Sequence, residues 1–232
     1  MREISSSHPA GTVGVVVGSL ARYRAVFTSL EKLRVPAGTN LWFAEGVEIA
    51  RNCNTLVDEM TGEWLWIMGD DHRFGPDVLL RLLDRQVDIV VPLVCRRHPP
   101  FESVLYKAMV GDGMPNEKYR LSELPPGGLI EVDAAGSAGM LVRQHVFGSL
   151  PRPWFRWQPS TSEDVGFCVE ARKAGFKVHA DLDQTMTHIT PCELEPVLKD
   201  GKWAISADIG GKRFSLNEET VAPVRKLTLK VA

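Results

Sequence analysis

Trp64-Leu65-Trp66-Ile67-Met68-Gly69-Asp70-Asp71-His72 begins with the most hydrophobic strand candidate of the 232-residue chain and ends on two carboxylates and an imidazole. Five consecutive apolar residues read as a strand buried on both faces, as in parallel sheets covered by helices. Upstream, Val13-Gly14-Val15-Val16-Val17 has the same character, and Asn40 to Ala44 reads as a short strand. Downstream, Ile89-Val90-Val91-Pro92-Leu93-Val94 is another. Helical spacing separates these strands. Val26, Leu30 and Leu33 share a face over 21–33, Ile49, Ala50, Leu56 and Val57 share one over 47–60, and Pro76 opens a helix over 77–85. The alternation β-α-β-α-β-α-β predicts an α/β fold with a mostly parallel central sheet flanked by helices. Right-handed crossovers gather the strand C-termini at one edge, where ligands bind in such sheets.

Composition agrees with a globular domain: 44% hydrophobic and 24% charged residues and a mean hydropathy of -0.08. No apolar run approaches the roughly 18–20 residues that cross a bilayer, and the N-terminal residues lack a secretory core. A soluble, cytoplasmic protein with no membrane partner is expected. The net charge of -2 gives no support for a protein that holds duplex DNA mainly through its phosphates, although a sum hides local basic grooves. Cys53, Cys95, Cys168 and Cys192 are scattered without a C-x-x-C pair, so they read as reduced thiols rather than zinc ligands.

Three short stretches carry chemistry. Gly69-Asp70-Asp71-His72 follows the buried strand, and adjacent carboxylates there are costly to desolvate unless a cation offsets their repulsion. Oxygen ligands suit Mg²⁺ or Mn²⁺, and an imidazole moves the preference toward Mn²⁺; a plain helix-capping turn is the structural alternative. Ser162-Glu163-Asp164 opens an amphipathic helix over 163–174, where acids serve as dipole partners or as a general base for a hydroxyl. His188 follows a strand starting near Lys177, and becomes a ligand only if Asp70, Asp71 or His72 lies beside it. Strand candidates at 103–110, 129–132 and 138–142 and a helix at 144–150 fill the middle. Residues 191–232 read as a C-terminal lid or tail.

The order of these pieces resembles the GT-A nucleotide-sugar glycosyltransferases, especially family 2. The resemblance runs from about Thr12 to Thr190. It rests on Ala50-Arg51-Asn52, the Trp64–Asp71 strand and turn, Phe74-Gly75-Pro76-Asp77, Ala135-Gly136-Ser137-Ala138-Gly139-Met140, Ser162-Glu163-Asp164-Val165, Ala174-Gly175-Phe176-Lys177-Val178 and His188. It implies a single GT-A-type, Rossmann-like domain over 1–190. It also implies transfer of a sugar from a nucleoside-diphosphate donor, a UDP-sugar first, to an acceptor hydroxyl, with Mn²⁺ or Mg²⁺ as cofactor. The family's Asp-x-Asp motif aligns its second acid with Asp71 and its first with Gly69, which cannot ligate; Asp70 and His72 form an Asp-x-His variant instead. The implied metal site is therefore Asp71, Asp70, His72 and His188, and the implied base is Asp164 with Glu163 as alternate. Donor contacts fall on Gly18, Ser19, Arg51, Asp70 and Gly139. Arg96, Arg97, Trp154 and Trp157 are expected to meet phosphates or the acceptor.

The acceptor is open. A soluble one is favoured, and a modified nucleobase of phage DNA, which would place the protein in the host cytoplasm, is one candidate. Two other readings stand beside the transferase. A nucleotidyltransferase making an activated sugar would carry a glycine-rich basic loop after the first strand, whereas Gly18-Ser19-Leu20-Ala21-Arg22 is short and poor in glycine. A non-catalytic nucleotide-sugar-binding module would accommodate Gly69.

Overall fold

The computed structural model describes residues 1–17, 24–109, 115–158, 161–199 and 201–216. Gly18 and Ser19, expected at the donor, lie outside the described residues. The chain divides into two units: Met1–Arg96 with Phe101–Ile189, and Arg97–Pro100 with Thr190–Ala232.

The first unit is built on seven strands: β1 (Thr12–Val17), β2 (Asn40–Glu45), β3 (Trp64–Gly69), β4 (Ile89–Leu93), β5 (Leu129–Val132), β6 (Met140–Arg143) and β7 (Val178–Thr185). Their order across the sheet is β5-β7-β4-β6-β3-β1-β2. β1 pairs parallel with β2 and β3, and β4 pairs parallel with β7. β6 runs antiparallel between β3 and β4, and β5 runs antiparallel on β7. The sheet is therefore mixed rather than mostly parallel: five strands share a direction and two oppose it. Direction was not legible because Met140, Leu141 and Val142 are all buried, and a strand buried on both faces shows the same apolar run whichever way it points.

Among the described residues five α-helices accompany these strands: α1 (Arg24–Lys32), α2 (Ile49–Glu59), α3 (Val78–Asp84), α4 (Gln144–Gly148) and α5 (Glu163–Lys173). Side chains alternate along each strand, so β3 splits its residues between two apolar clusters. Leu65 and Ile67 join α2, α4 and α5 through Cys53, Leu56, Phe147 and Phe167. Trp64, Trp66 and Met68 join α1 and α3 through Val26, Leu30, Leu79 and Leu83. Both indoles are fully buried and keep their N–H groups satisfied: Trp64 Nε1 donates to the Pro9 carbonyl at 3.0 Å and Trp66 Nε1 to the Gly139 carbonyl at 2.8 Å.

The second unit contains a three-stranded antiparallel meander, Glu193–Lys199, Lys202–Ile209 and Lys212–Leu216. Among the described residues no helix is long and apolar enough to cross a membrane.

Gly139 has φ +79°, and a Cβ there would lie 2.6 Å from Met186 Sδ and 2.8 Å from Pro92 Cγ. Packing and backbone conformation both require glycine at this point. Gly139→Ala is expected to cost about 2–3 kcal/mol of stability, read as a lowered urea midpoint at unchanged slope.

Candidate active site

The five like-directed strands end at one edge, and the chain leaving them is stitched back onto it. Asp70 N donates to the Val16 carbonyl at 3.1 Å and Gly46 N to the Val17 carbonyl at 3.4 Å. Asp71-His72 then meets the segment after β7. His72–Arg73 and Thr187–His188 form a short antiparallel pair in which His72 lies opposite His188, and Ile189 N donates to the Asp71 carbonyl at 2.7 Å.

This pairing brings three ligand-type side chains together. His188 Nε2 is 3.0 Å from Asp71 Oδ2, and His72 Nδ1 is 2.9 Å from Asp71 Oδ1. The two imidazoles stack with centroids 4.4 Å apart. One ligand atom from each of Asp71, His72 and His188 falls within 4.8 Å of the others. Asp70 is buried beside them.

The tautomer of His188 follows from its neighbours. Its Nδ1 is 3.0 Å from the Cys95 carbonyl, which can only accept, so Nδ1 carries a hydrogen. In neutral His188 the Nε2 lone pair then faces the Asp71 carboxylate, and two lone pairs at this separation need a proton or a metal ion between them. His72 Nε2 is buried without a hydrogen-bond partner. Burial pushes the Asp71 carboxyl up, but hydrogen bonds from His188 and His72, with their charge, outweigh it and hold the group well below the usual carboxylate range. One carboxylate and two imidazoles, one of them oriented by a backbone carbonyl, are a donor set that fits a divalent cation.

Gly69 has a packing reason. A Cβ at this position would lie 2.8 Å from Asp71 Oδ1 and 3.3 Å from His72 Nδ1. The space that a side chain would need is already filled by Asp71 and His72.

Asp164 sits at the same edge, linked to the cluster by backbone hydrogen bonds. Val104 N donates to Val94 O, Gly136 N to Val104 O, and Ser137 N to Asp164 Oδ2 at 3.1 Å. Val94 is next to Cys95, which orients His188. Asp164 Oδ1 accepts from Val165 N at 2.8 Å and from the Ser162 hydroxyl. With three donors on two oxygens, roughly one lone-pair direction stays available. Tyr106 lies near enough that burial, followed by the Asp164 charge, raises its phenol. Glu163 is different: it is 3% exposed, and burial, then the Asp164 and Glu48 charges, raise its carboxyl to about 7.

Arg51 is exposed on α2, behind an N-cap in which Glu48 accepts from Arg51 N at 3.0 Å. It lines a cavity of about 460 Å³ with Phe43, Glu45, Gly46, Asn52 and Thr55, just beyond β2. A concavity of this size suits a small ligand; of its walls the sequence reading pointed to the Arg51-Asn52 element and assigned a donor contact to Arg51 alone. Trp154 is a buried anchor rather than a stacking platform. It is 7% exposed, donates from Nε1 to Phe147 O at 2.8 Å, and carries the Arg152 guanidinium over its ring at 4.4 Å. Trp157 is exposed. Arg96 is exposed just beyond β4, 4.0 Å from Glu102; Arg97 is exposed and belongs to the second unit. The Cys95 carbonyl had no signal in the sequence, because a backbone acceptor leaves no trace in residue type.

No protein-family model matches the chain, and no curated protein matches it in sequence. Solved structures do match. A197 from STIV superposes with a TM-score of 0.52 at 11% identity over 92% of this chain and 98% of that one. GalNAc-T7, crystallised with UDP, GalNAc and Mn²⁺, superposes with a TM-score of 0.55 at 9% identity over 79% of this chain and 44% of that one. The fold is GT-A-like. The inositol-1-phosphate CTP transferase from T. maritima matches at a TM-score of 0.44 and 12% identity over 76% of this chain and 88% of that one.

The buried Glu163 generates a pH prediction. Its native carboxyl keeps a proton until about pH 7, whereas the unfolded chain releases it near 4.5. Native stability therefore falls as pH rises through that window. Glu163→Gln, which does not titrate, is expected to melt with wild type near pH 4 and about 5 °C above it at pH 8, read by differential scanning calorimetry.

Proposed function

We propose that the protein is a divalent-cation-dependent glycosyltransferase that moves a sugar from a nucleoside diphosphate, UDP first, to an acceptor hydroxyl. The observation that carries this reading is the meeting of Asp71, His72 and His188, 117 positions apart at its widest, on the sheet edge that also holds Asp164. The GT-A-like fold supports it. So does the spacing of two features of this edge: the Arg51 cavity lies beyond β2 and the Asp70-Asp71 turn beyond β3, with β1 between them. Two strand spacings are about 10 Å, the span of a nucleoside with its first phosphates.

In this reading Asp71, His72 and His188 hold the cation, with Asp70 beside them, and Arg51 and Glu45 contact the nucleoside. The bound cation supplies charge stabilisation to the departing diphosphate. Asp164 accepts the proton of the acceptor hydroxyl as its oxygen bonds to the anomeric carbon and the bond to diphosphate breaks. Ser137 N, Val165 N and the Ser162 hydroxyl hold the carboxylate still for that task. Glu163 is the less suited member of the pair, being buried and protonated near neutral pH. Exposed Trp157, in the loop before α5, offers a face to the acceptor, and Arg96 a charge.

Thermal shift with UDP-, GDP- and CMP-sugars, with and without Mn²⁺, tests the reading. A Mn²⁺-dependent rise of about 5 °C with one donor class is expected at saturating ligand, together with slow donor hydrolysis. Asp71→Ala should abolish the Mn²⁺-dependent rise, and its persistence would overturn the assignment. Asp164→Asn should keep the rise and lose transfer by about 100-fold or more. Stabilisation by a donor that is never turned over would favour the non-catalytic binding module.

A further inference from the structure

A small sheet of the first unit adjoins Asp164. In it Leu105–Met109 runs antiparallel between Ala134–Ala135 and Pro115–Lys118. Residues directly opposite each other in an antiparallel pair share a face, and every second residue along a strand returns to it. Tyr106 lies opposite both Ala134 and Lys118, and Gly136 comes two residues after Ala134. A Cβ on Gly136 would lie 3.4 Å from Asp164 Oδ2. The Asp164 carboxylate therefore lies over the face that carries the Tyr106 ring. That ring is held in place: Lys118 Nζ sits 5.4 Å from its centroid and 3.5 Å from the Glu102 carboxylate, which Arg96 approaches at 4.0 Å. Burial, then the Asp164 charge, raises the phenol against the opposing Arg96 charge, so Tyr106 keeps its hydrogen at neutral pH.

We propose that Tyr106 binds the acceptor, donating from its hydroxyl to an oxygen next to the one that attacks, and that the acceptor is a saccharide, which carries hydroxyls on neighbouring carbons. The proposal rests on the transferase reading, with Asp164 as the base. An ionised carboxylate can only accept, whereas a phenol can donate. A hydroxyl that gives its proton to Asp164 thus lies beside a donor suited to a second oxygen, and Tyr106 keeps its own proton throughout. The charges favour the same class. Arg96 and Lys118 are matched by the carboxylates of Glu102 and Asp164, so this wall has no excess of cations for a phosphate backbone. A balanced set of donors and acceptors suits a neutral molecule rich in hydroxyls. A serine side chain or a hydroxymethylated base carries a single hydroxyl and leaves the phenol without that partner.

Transfer from the donor that Mn²⁺-dependent thermal shift selects tests it. The acceptors are the methyl glycosides of glucose, galactose and mannose, a serine peptide and a hydroxymethylcytosine oligonucleotide. Transfer to at least one glycoside, and to neither of the others, is expected. Tyr106→Phe, which keeps the ring under Lys118, should raise KM for that glycoside about 10-fold, with kcat within about twofold. On wild type, the deoxy-glycoside that lacks the hydroxyl next to the attacking one should lose as much, a measurement that needs no variant to fold. Tyr106→Phe acting on the deoxy-glycoside should lose nothing further, because both changes remove one hydrogen bond. Losses that multiply overturn the proposal, as does an unchanged KM or transfer to the peptide or oligonucleotide alone. Donor that is hydrolysed while no glycoside accepts its sugar overturns the proposal and leaves the transferase reading standing. A wild-type chain that binds and hydrolyses no donor overturns both.

Discussion

The Asp71 carboxylate held between His188 and His72 is the contact on which the rest depends. It joins the segment after β3 to the segment after β7, on strands separated in the sheet by β6 and β4. His188 cannot turn away, because its Nδ1–H is committed to the Cys95 carbonyl, and Asp71 cannot withdraw, because Ile189 N holds its backbone. A carboxylate and two imidazoles so fixed are costly to bury unless a proton or a cation offsets their charge.

The sheet supplies that arrangement cheaply. Parallel strands deliver their C-terminal ends to one edge, so β1, β2, β3, β4 and β7 bring the Arg51 cavity, Asp70-Asp71-His72, Cys95 and His188 to it without long excursions. The opposed strand β6 adds something a fully parallel sheet would not. Its N-terminal end reaches the same edge, and Gly136-Ser137 just before it grips Asp164 at the start of α5. The buried Trp66, tied to Gly139, and Asn54, which donates to Phe155 O at 2.6 Å and accepts from Phe155 N at 3.1 Å, fix the loops on either side.

Much of this was legible in the residues. Strands with continuous apolar runs and helices with 3.6-residue spacing lie where the pattern puts them, because each buries its own side chains. The meeting of Asp71, His72 and His188 was legible only through the ordered resemblance, since nothing local to His188 reports a partner 117 positions away. Strand direction was not legible for β6, whose burial on both faces erases the cue. Residue type left Gly139 and Trp154 open to a binding or a packing role, because a glycine or an indole near a site looks the same in sequence either way; in the fold Gly139 packs against Pro92 and Met186, and Trp154 against Phe147. The terminal meander went unplaced, although Gly210-Gly211 between alternating apolar residues is a dipeptide that closes tight hairpins.

An anomalous difference map at the manganese edge, from crystals grown with UDP and Mn²⁺, bears most directly on the shared cation. The account predicts one strong peak within bonding distance of an Asp71 carboxylate oxygen and a His188 ring nitrogen. A map with UDP bound and manganese elsewhere, or with no manganese at all, would contradict it.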